Sequence, residues 1–266
     1  MENTKELWDG IWSSESKSLQ EHIFDMEKGG KGTVWKGIYK IIKEHFDNIN
    51  QLHVVELGAG CGYMSALMAK MVHKVSMIDY SDSAIEQSKA FFNSLGISNV
   101  EYINANALNL PDCLCNSYDV SMSFGLAEHF QNNDRKIVIK SHFDLLKQNG
   151  LSLISVPNQH CLPYQIWKKK RELLNKWDVG LEIPYSRKEF KSICNELNIN
   201  TYSFIGSSFL SSLNYIFPFN TWKRSLIKRI VPNYYQRIDL IKPEISTPID
   251  SYLGYALVLC GTKTGC

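Results

Sequence analysis

With 266 residues, 44% of them hydrophobic and 21% charged, and a formal net charge of +2, the chain has the composition of a globular protein able to bury a full core. The near-neutral balance gives no general case for nucleic acid, which draws a markedly basic surface, and no uninterrupted run approaches the ~20 apolar residues of a membrane span. The seven cysteines include no CxxC pair and read as reduced thiols; with a polar, acidic N-terminus unlike a secretory signal, a cytoplasmic location is expected.

Residues 1–50 carry two expected helices, the second about Thr33 to Phe46, and form an N-terminal helical cap. From 51 to 156 strand and helix alternate five times, the pattern of a parallel sheet. The first strand ends at Glu56 and runs into Gly58-Ala59-Gly60-Cys61-Gly62, followed by an amphipathic segment from Tyr63 to Met71. Strand, glycine turn and helix together make a nucleotide site, because glycines accept positive φ and let the backbone lie against a ligand. A dinucleotide fingerprint needs G-x-G-x-x-G. Here Tyr63 stands where the third glycine would be, and the Glu56 carboxylate would repel a pyrophosphate and suit a cationic amine. Lys74 to Asp79 reads as the second strand, ending in an acid placed to accept both ribose hydroxyls, and Ser81 caps the next helix. Val100 to Asn104 and Tyr118 to Phe124 read as the third and fourth strands. A helix capped by Gly150 then leads into the fifth.

In this order, Glu56-Leu57-Gly58-Ala59-Gly60-Cys61-Gly62, the strand ending at Asp79, Ala105-Asn106-Ala107-Leu108, Gly125 to Phe130 and Leu145 to Asn158 resemble the class I S-adenosylmethionine-dependent methyltransferases. The resemblance covers about residues 50–160 and resumes at the C-terminal strand. It implies a Rossmann-like α/β fold: a seven-stranded, mostly parallel sheet with an antiparallel last strand and helices on both faces. It also implies S-adenosyl-L-methionine as cofactor. Glu56, Gly58, Ala59, Gly60 and Gly62 would hold the methionine part, Asp79 the ribose, and Asn106 with Ala107 the adenine, while Tyr80 and Phe124 would flank the adenosine. Family members often have Gly-Asp-Ala at the adenine position; Asn106 departs from this, although its amide oxygen can accept the same bond. Leu126-Ala127-Glu128-His129 looks like the "LEH" segment of many small-molecule members. Leu7-Trp8-Asp9-Gly10-Ile11-Trp12 is similar to the W-x-x-x-W gate of several.

Beyond the fifth strand, a helix rich in Lys and Trp is expected over 159–177. Ser186-Arg187-Lys188-Glu189 has the capping-box pattern and opens a helix to about Leu197. Asn200 to Ile205 would be the sixth strand and Tyr252 to Thr262 the last. The stretch between them is too long for a hairpin turn, so 207–250 reads as a lid or substrate insertion within a methyltransferase core of 51–206 and 251–266. In that insertion Trp222 to Ile230 has the pattern of a basic amphipathic helix, ordinarily a solvated lid face and secondarily a contact for an anionic membrane.

The acceptor is expected to be a small molecule or a sugar moiety, in an aromatic pocket shaped by Trp12 and Trp35. Ser123-Phe124-Gly125-Leu126 replaces the Asn/Asp-Pro-Pro-aromatic tetrad of amino-methylating enzymes of adenine and glutamine, which argues against that amino chemistry on nucleic acid or protein. His129 titrates near neutrality and could act as base toward a hydroxyl, so O-methylation is favoured over N-methylation. Glu128 and His129 have no evident third ligand, so no metal is expected. Two other readings share part of the pattern. An NAD-dependent oxidoreductase would use Asp79 but conflicts with the glycine spacing and Glu56; a non-catalytic S-adenosylmethionine-binding partner protein would keep the motifs without turnover. Nothing in the sequence sets the oligomeric state.

Overall fold

The computed structural model describes residues 4–177, 179–216 and 247–264. Three helices open the chain, one more than the sequence pattern indicates: α1 (Lys5–Ser13), α2 (Leu19–Gly30) and α3 (Thr33–His45). The missed break follows from Ser18, whose hydroxyl and the Glu21 carboxylate form a reciprocal cap that starts α2 afresh.

Then follow β1 (His53–Leu57), α4 (Tyr63–Ala69), β2 (Lys74–Asp79), α5 (Asp82–Ser94), β3 (Val100–Asn104), β4 (Tyr118–Phe124), α6 (Asp134–Leu145) and β5 (Leu146–Pro157). The chain continues with α7 (Leu162–Leu173), α8 (Arg187–Glu196), β6 (Thr201–Gly206), α9 (Phe209–Ser212), α10 (Pro248–Leu253) and β7 (Ala256–Thr262). The strands form one sheet in the order β3-β2-β1-β4-β5-β7-β6. All pairings are parallel except those of β7, which runs antiparallel to both β5 and β6. This is the expected seven-stranded Rossmann-like fold.

Alternation along each strand sends successive side chains to opposite faces. Val54, Met77, Met122 and Leu153 meet Trp35, Ile38 and Ile42 of α3 and Phe92 of α5 on one face. Val55, Ile78, Ile154 and Leu257 meet Ile139 of α6 and Phe190 and Ile193 of α8 on the other. The central strands are buried on both sides, hence their nearly unbroken apolar runs. The order in which strands are added reverses between the parallel neighbours β1 and β4 at the centre of the sheet, and in such sheets the crevice beyond the strands' carboxyl ends binds ligands.

Several boundaries differ from the sequence reading. The β3–β4 connection holds a single 3-10 turn, Asp112–Leu114, in place of a helix; Pro111 and the nearby Asn106, Asn109 and Asn116 favour turns over helix. Gly150 is not a helix cap. The helix α6 stops at Leu145, Asn149 takes the left-handed conformation (φ 62°), and Gly150 lies within β5. A Cβ there would lie 2.9 Å from the Lys147 carbonyl and 3.1 Å from that of Asp119, so close backbone approach demands glycine. Tyr252 and Leu253 are helical, because Thr247 and Asp250 form a capping box with Pro248 at the first turn of α10. At α8 only half of the expected box forms: Ser186 accepts from the Glu189 N–H, while the Glu189 carboxylate turns to Arg135 at 2.6 Å. No helix among the described residues is long and apolar enough to cross a membrane. The basic stretch Trp222 to Ile230 lies outside the described residues.

Candidate active site

At the carboxyl ends of β1, β2 and β4 a cavity of about 370 Å³ opens. Its floor is the glycine loop. Gly58, Gly60 and Gly62 all have positive φ (60°, 52° and 76°), which a side chain would strain. Space is short as well: a Cβ on Gly58 would lie 2.6 Å from Leu126, and one on Gly60 would enter the Trp12 ring.

Two acids hold this loop. Asp79, the last residue of β2, accepts from the Gly60 N–H and from the Ser81 N–H, each at 2.9 Å. One carboxylate therefore ties the loop to the next strand, and its remaining lone pairs are available to a ligand. Burial pushes its pKa up against the pull of those N–H donors. Glu56, at 3% exposure, accepts from both the backbone N–H and the hydroxyl of Ser65 on α4. Burial raises its carboxyl to about 8. Both acids line the cavity, and among the described residues no cation pairs with either.

The remaining walls come from separate parts of the chain. Tyr80 follows β2, Ala105 to Leu108 follow β3, and Phe124 ends β4 with Gly125 and Leu126 after it. The Asn106 oxygen already accepts from the Leu108 N–H at 2.9 Å, closing a turn, so an adenine amino group would share that oxygen. His129 ends a 3-10 turn, Ala127–His129, and its Nδ1–H donates to the Leu181 carbonyl at 2.6 Å. Burial lowers the imidazole pKa against hydrogen bonds to the Leu181 and Gly125 backbone.

Above the cavity lies α1. Trp12 covers the glycine loop, and Trp8 packs edge-on against His129 with ring centroids 4.8 Å apart. The helix is fixed by Asp9, which accepts from the Ser81 hydroxyl at 2.6 Å, and by a Lys5–Asp82 ion pair. The structure thus brings Glu56, Gly58, Ala59, Gly60, Gly62, Asp79, Tyr80, Asn106, Ala107, Phe124, His129 and Trp12 to one cavity. Trp35 is the exception. It is 8% exposed in the core under α3, packed with residues of the sheet, and does not line the cavity. Trp8, named in the sequence only as part of the W-x-x-x-W gate, also lines the cavity; it stands four positions before Trp12, hence on the same helix face.

This donor set fits S-adenosylmethionine. Two buried carboxylates without counter-ions are costly. A ligand bringing an ammonium and a sulfonium would offset that cost, whereas a pyrophosphate would increase it. No group of three or more metal-type side chains occurs among the described residues.

The comparisons agree. Residues 54–150 match the family described as methyltransferase domain. The chain is 27% identical over 193 residues to human EEF1A lysine methyltransferase 2, covering 68% of this chain and 75% of that protein. It is also 27% identical over 129 residues to the ubiquinone biosynthesis O-methyltransferase of Rickettsia canadensis, covering 46% of this chain and only 50% of that enzyme. A Thermotoga maritima crystal structure, of an S-adenosylmethionine-dependent methyltransferase described as a possible histamine N-methyltransferase, superposes with a TM-score of 0.63 at 14% identity. That superposition covers 98% of this chain and 100% of the other, and carries the fold alone. The acid-held glycine loop, the sheet order and these matches lead to one conclusion: the chain is an S-adenosylmethionine-dependent methyltransferase with the class I fold, and S-adenosylmethionine is its cofactor.

Proposed function

We propose that this enzyme methylates a small-molecule or sugar acceptor, on a hydroxyl oxygen in preference to a nitrogen. The observation that carries the reading is His129. It lines the cavity just past β4, and its partial burial lowers the imidazole pKa, which favours the neutral ring. Donation of Nδ1–H to the Leu181 carbonyl fixes the orientation of the ring at the cavity wall. When bound, the cofactor supplies a sulfonium methyl that is already a strong electrophile.

The protein's part is to bind, align and keep water out. In this reading Glu56 and the glycine loop hold the methionine part, Asp79 the ribose, Asn106 with Ala107 the adenine edge, and Tyr80 with Phe124 the adenosine faces. Trp8 and Trp12 close the top, and His129 would take the proton of the acceptor hydroxyl. Residues 1–50 act as cap, and most of the 207–250 insertion lies outside the described residues. The quinone-pathway O-methyltransferase among the relatives supports a small hydroxyl acceptor.

A second reading, N-methylation of a protein lysine, is favoured by the human relative, whose similarity covers more of the chain. Incubation with methyl-labelled S-adenosylmethionine and fractionated lysate, with Asp79→Ala as blank, separates the two. Label above the blank in the small-molecule or glycan fraction supports the first; label confined to protein supports the second. Label in neither fraction, with cofactor binding intact, counts against both.

A further inference from the structure

Beside His129, and outside the cofactor cavity, a second group of acidic and aromatic side chains has no part in the chemistry above. Glu128 is 3% exposed, and its Oε2 has no hydrogen-bond partner among the described residues. Its Oε1 lies 3.4 Å from the point where a Cβ on Gly125 would stand. Gly125 itself lines the cavity, so the Glu128 carboxyl sits directly behind a stretch of wall that carries no side chain.

Glu182 approaches from the loop after α7, where the Ile183 N–H donates to the Glu128 carbonyl at 2.7 Å. The Glu182 carboxyl accepts from the Tyr164 hydroxyl. Tyr164 packs on Tyr255 and Tyr215, with ring centroids 4.7 and 5.2 Å away, and Tyr255 lies within electrostatic reach of both carboxyls.

The nearby cations are committed elsewhere. The Arg135 guanidinium pairs with Glu189, donates to the Phe130 and Ile183 carbonyls, and stacks 3.6 Å from the Tyr185 ring centre. Lys168 pairs with Glu172 and donates to the Glu182 backbone carbonyl, not to its carboxylate. One buried and one half-buried carboxyl among aromatic rings, with no ion pair to either among the described residues, form an environment that a cation completes.

We propose that Glu128, with Glu182 and the Tyr164–Tyr215–Tyr255 rings, forms a subsite for an ammonium group carried by the methyl acceptor. The proposal deepens the small-molecule reading and rests on its placing of the acceptor at His129. The acceptor is then an amine-bearing compound, its cationic end toward Glu128 and its reacting atom toward the cofactor. Burial pushes the Glu128 carboxyl up to about 8, so it waits in the neutral form and releases its proton to solvent as the ammonium docks.

The test is a binding titration of the full chain saturated with S-adenosylhomocysteine. The probes are tyramine and tyrosol, which differ by an amine in place of a hydroxyl. Tyramine is expected to bind at least about tenfold more tightly, the size of one hydrogen bond to a charged group. Glu128→Gln should erase that preference while keeping S-adenosylhomocysteine affinity, which reports an intact fold. If that variant fails to fold, Glu182→Gln decides, with a partial loss expected. Equal binding of the two probes, no binding of either, or a preference that survives Glu128→Gln would overturn the subsite. Failure of the parent reading looks different: amine selectivity with label only on protein leaves the subsite and removes the small-molecule acceptor. A labelled small molecule without an amine does the reverse.

Discussion

The Trp12 ring on α1 occupies the space that a side chain on Gly60 would need. The cap helix and the cofactor loop are therefore fitted to each other, and each limits what the other can carry. Gly60→Ala should weaken S-adenosylhomocysteine binding by at least about tenfold, since a left-handed backbone and a collision each cost ~1 kcal/mol or more. Adding Trp12→Ala should recover part of that loss. A double-mutant cycle of calorimetric affinities checks the coupling, and strict additivity would show that the contact carries none.

Asp79 joins the loop to β2 through hydrogen bonds from Gly60 and Ser81. Replacing it by Asn keeps its size and removes the charge. The expected effect is a loss of about 10- to 100-fold in cofactor affinity, from charge-assisted bonds worth ~1.5–3 kcal/mol. Titration of the variant with S-adenosylhomocysteine measures it.

Glu56 gives a pH signature. Its folded-state pKa, about 8, is above the ordinary value of 4.5, so the fold favours the protonated acid. Without ligand, the stability contributed by this group is full below pH ~4.5 and is lost as pH rises toward 8. A cationic ligand favours the carboxylate, so binding releases a proton below pH 8. Cofactor affinity should rise about tenfold per unit between pH 6 and 8 and then level off. Calorimetry in two buffers of different ionisation enthalpy reads the proton directly, and Glu56→Gln should flatten the profile.

For His129 the sign runs the other way. Burial lowers its pKa from the ordinary 6.5, so the base form predominates at pH 7 and above. With a hydroxyl acceptor, kcat/KM should stay flat above pH 7 and fall only as pH drops through the lowered pKa. His129→Gln should reduce kcat by ~10²–10⁴ with little change in cofactor affinity. Steady-state kinetics over pH 5–9 on the labelled acceptor check both.

Local patterns carried much of this structure. The apolar run into Glu56, the glycines after it and Asp79 twenty-odd residues on are contiguous signals, and the expected sheet follows from them. What escaped depends on packing. Trp8 and Trp35 look alike in sequence, yet one faces a cavity and the other the sheet, because helix rotation is set by tertiary contacts. Gly150 reads as a helix end, but its smallness answers the backbone of β4, distant in sequence. The isolation of Glu128 likewise depends on Arg135 and Lys168 finding partners elsewhere in the fold.

The central claim is that the acid-held loop binds S-adenosylmethionine. Calorimetric titration of the wild type and of Asp79→Ala with S-adenosylmethionine, and of the wild type with NADH, tests it most directly. The account predicts stoichiometric binding of S-adenosylmethionine, a loss of at least about tenfold in the variant, and no heat with NADH. Binding of NADH, or S-adenosylmethionine binding that Asp79→Ala leaves unchanged, would contradict it.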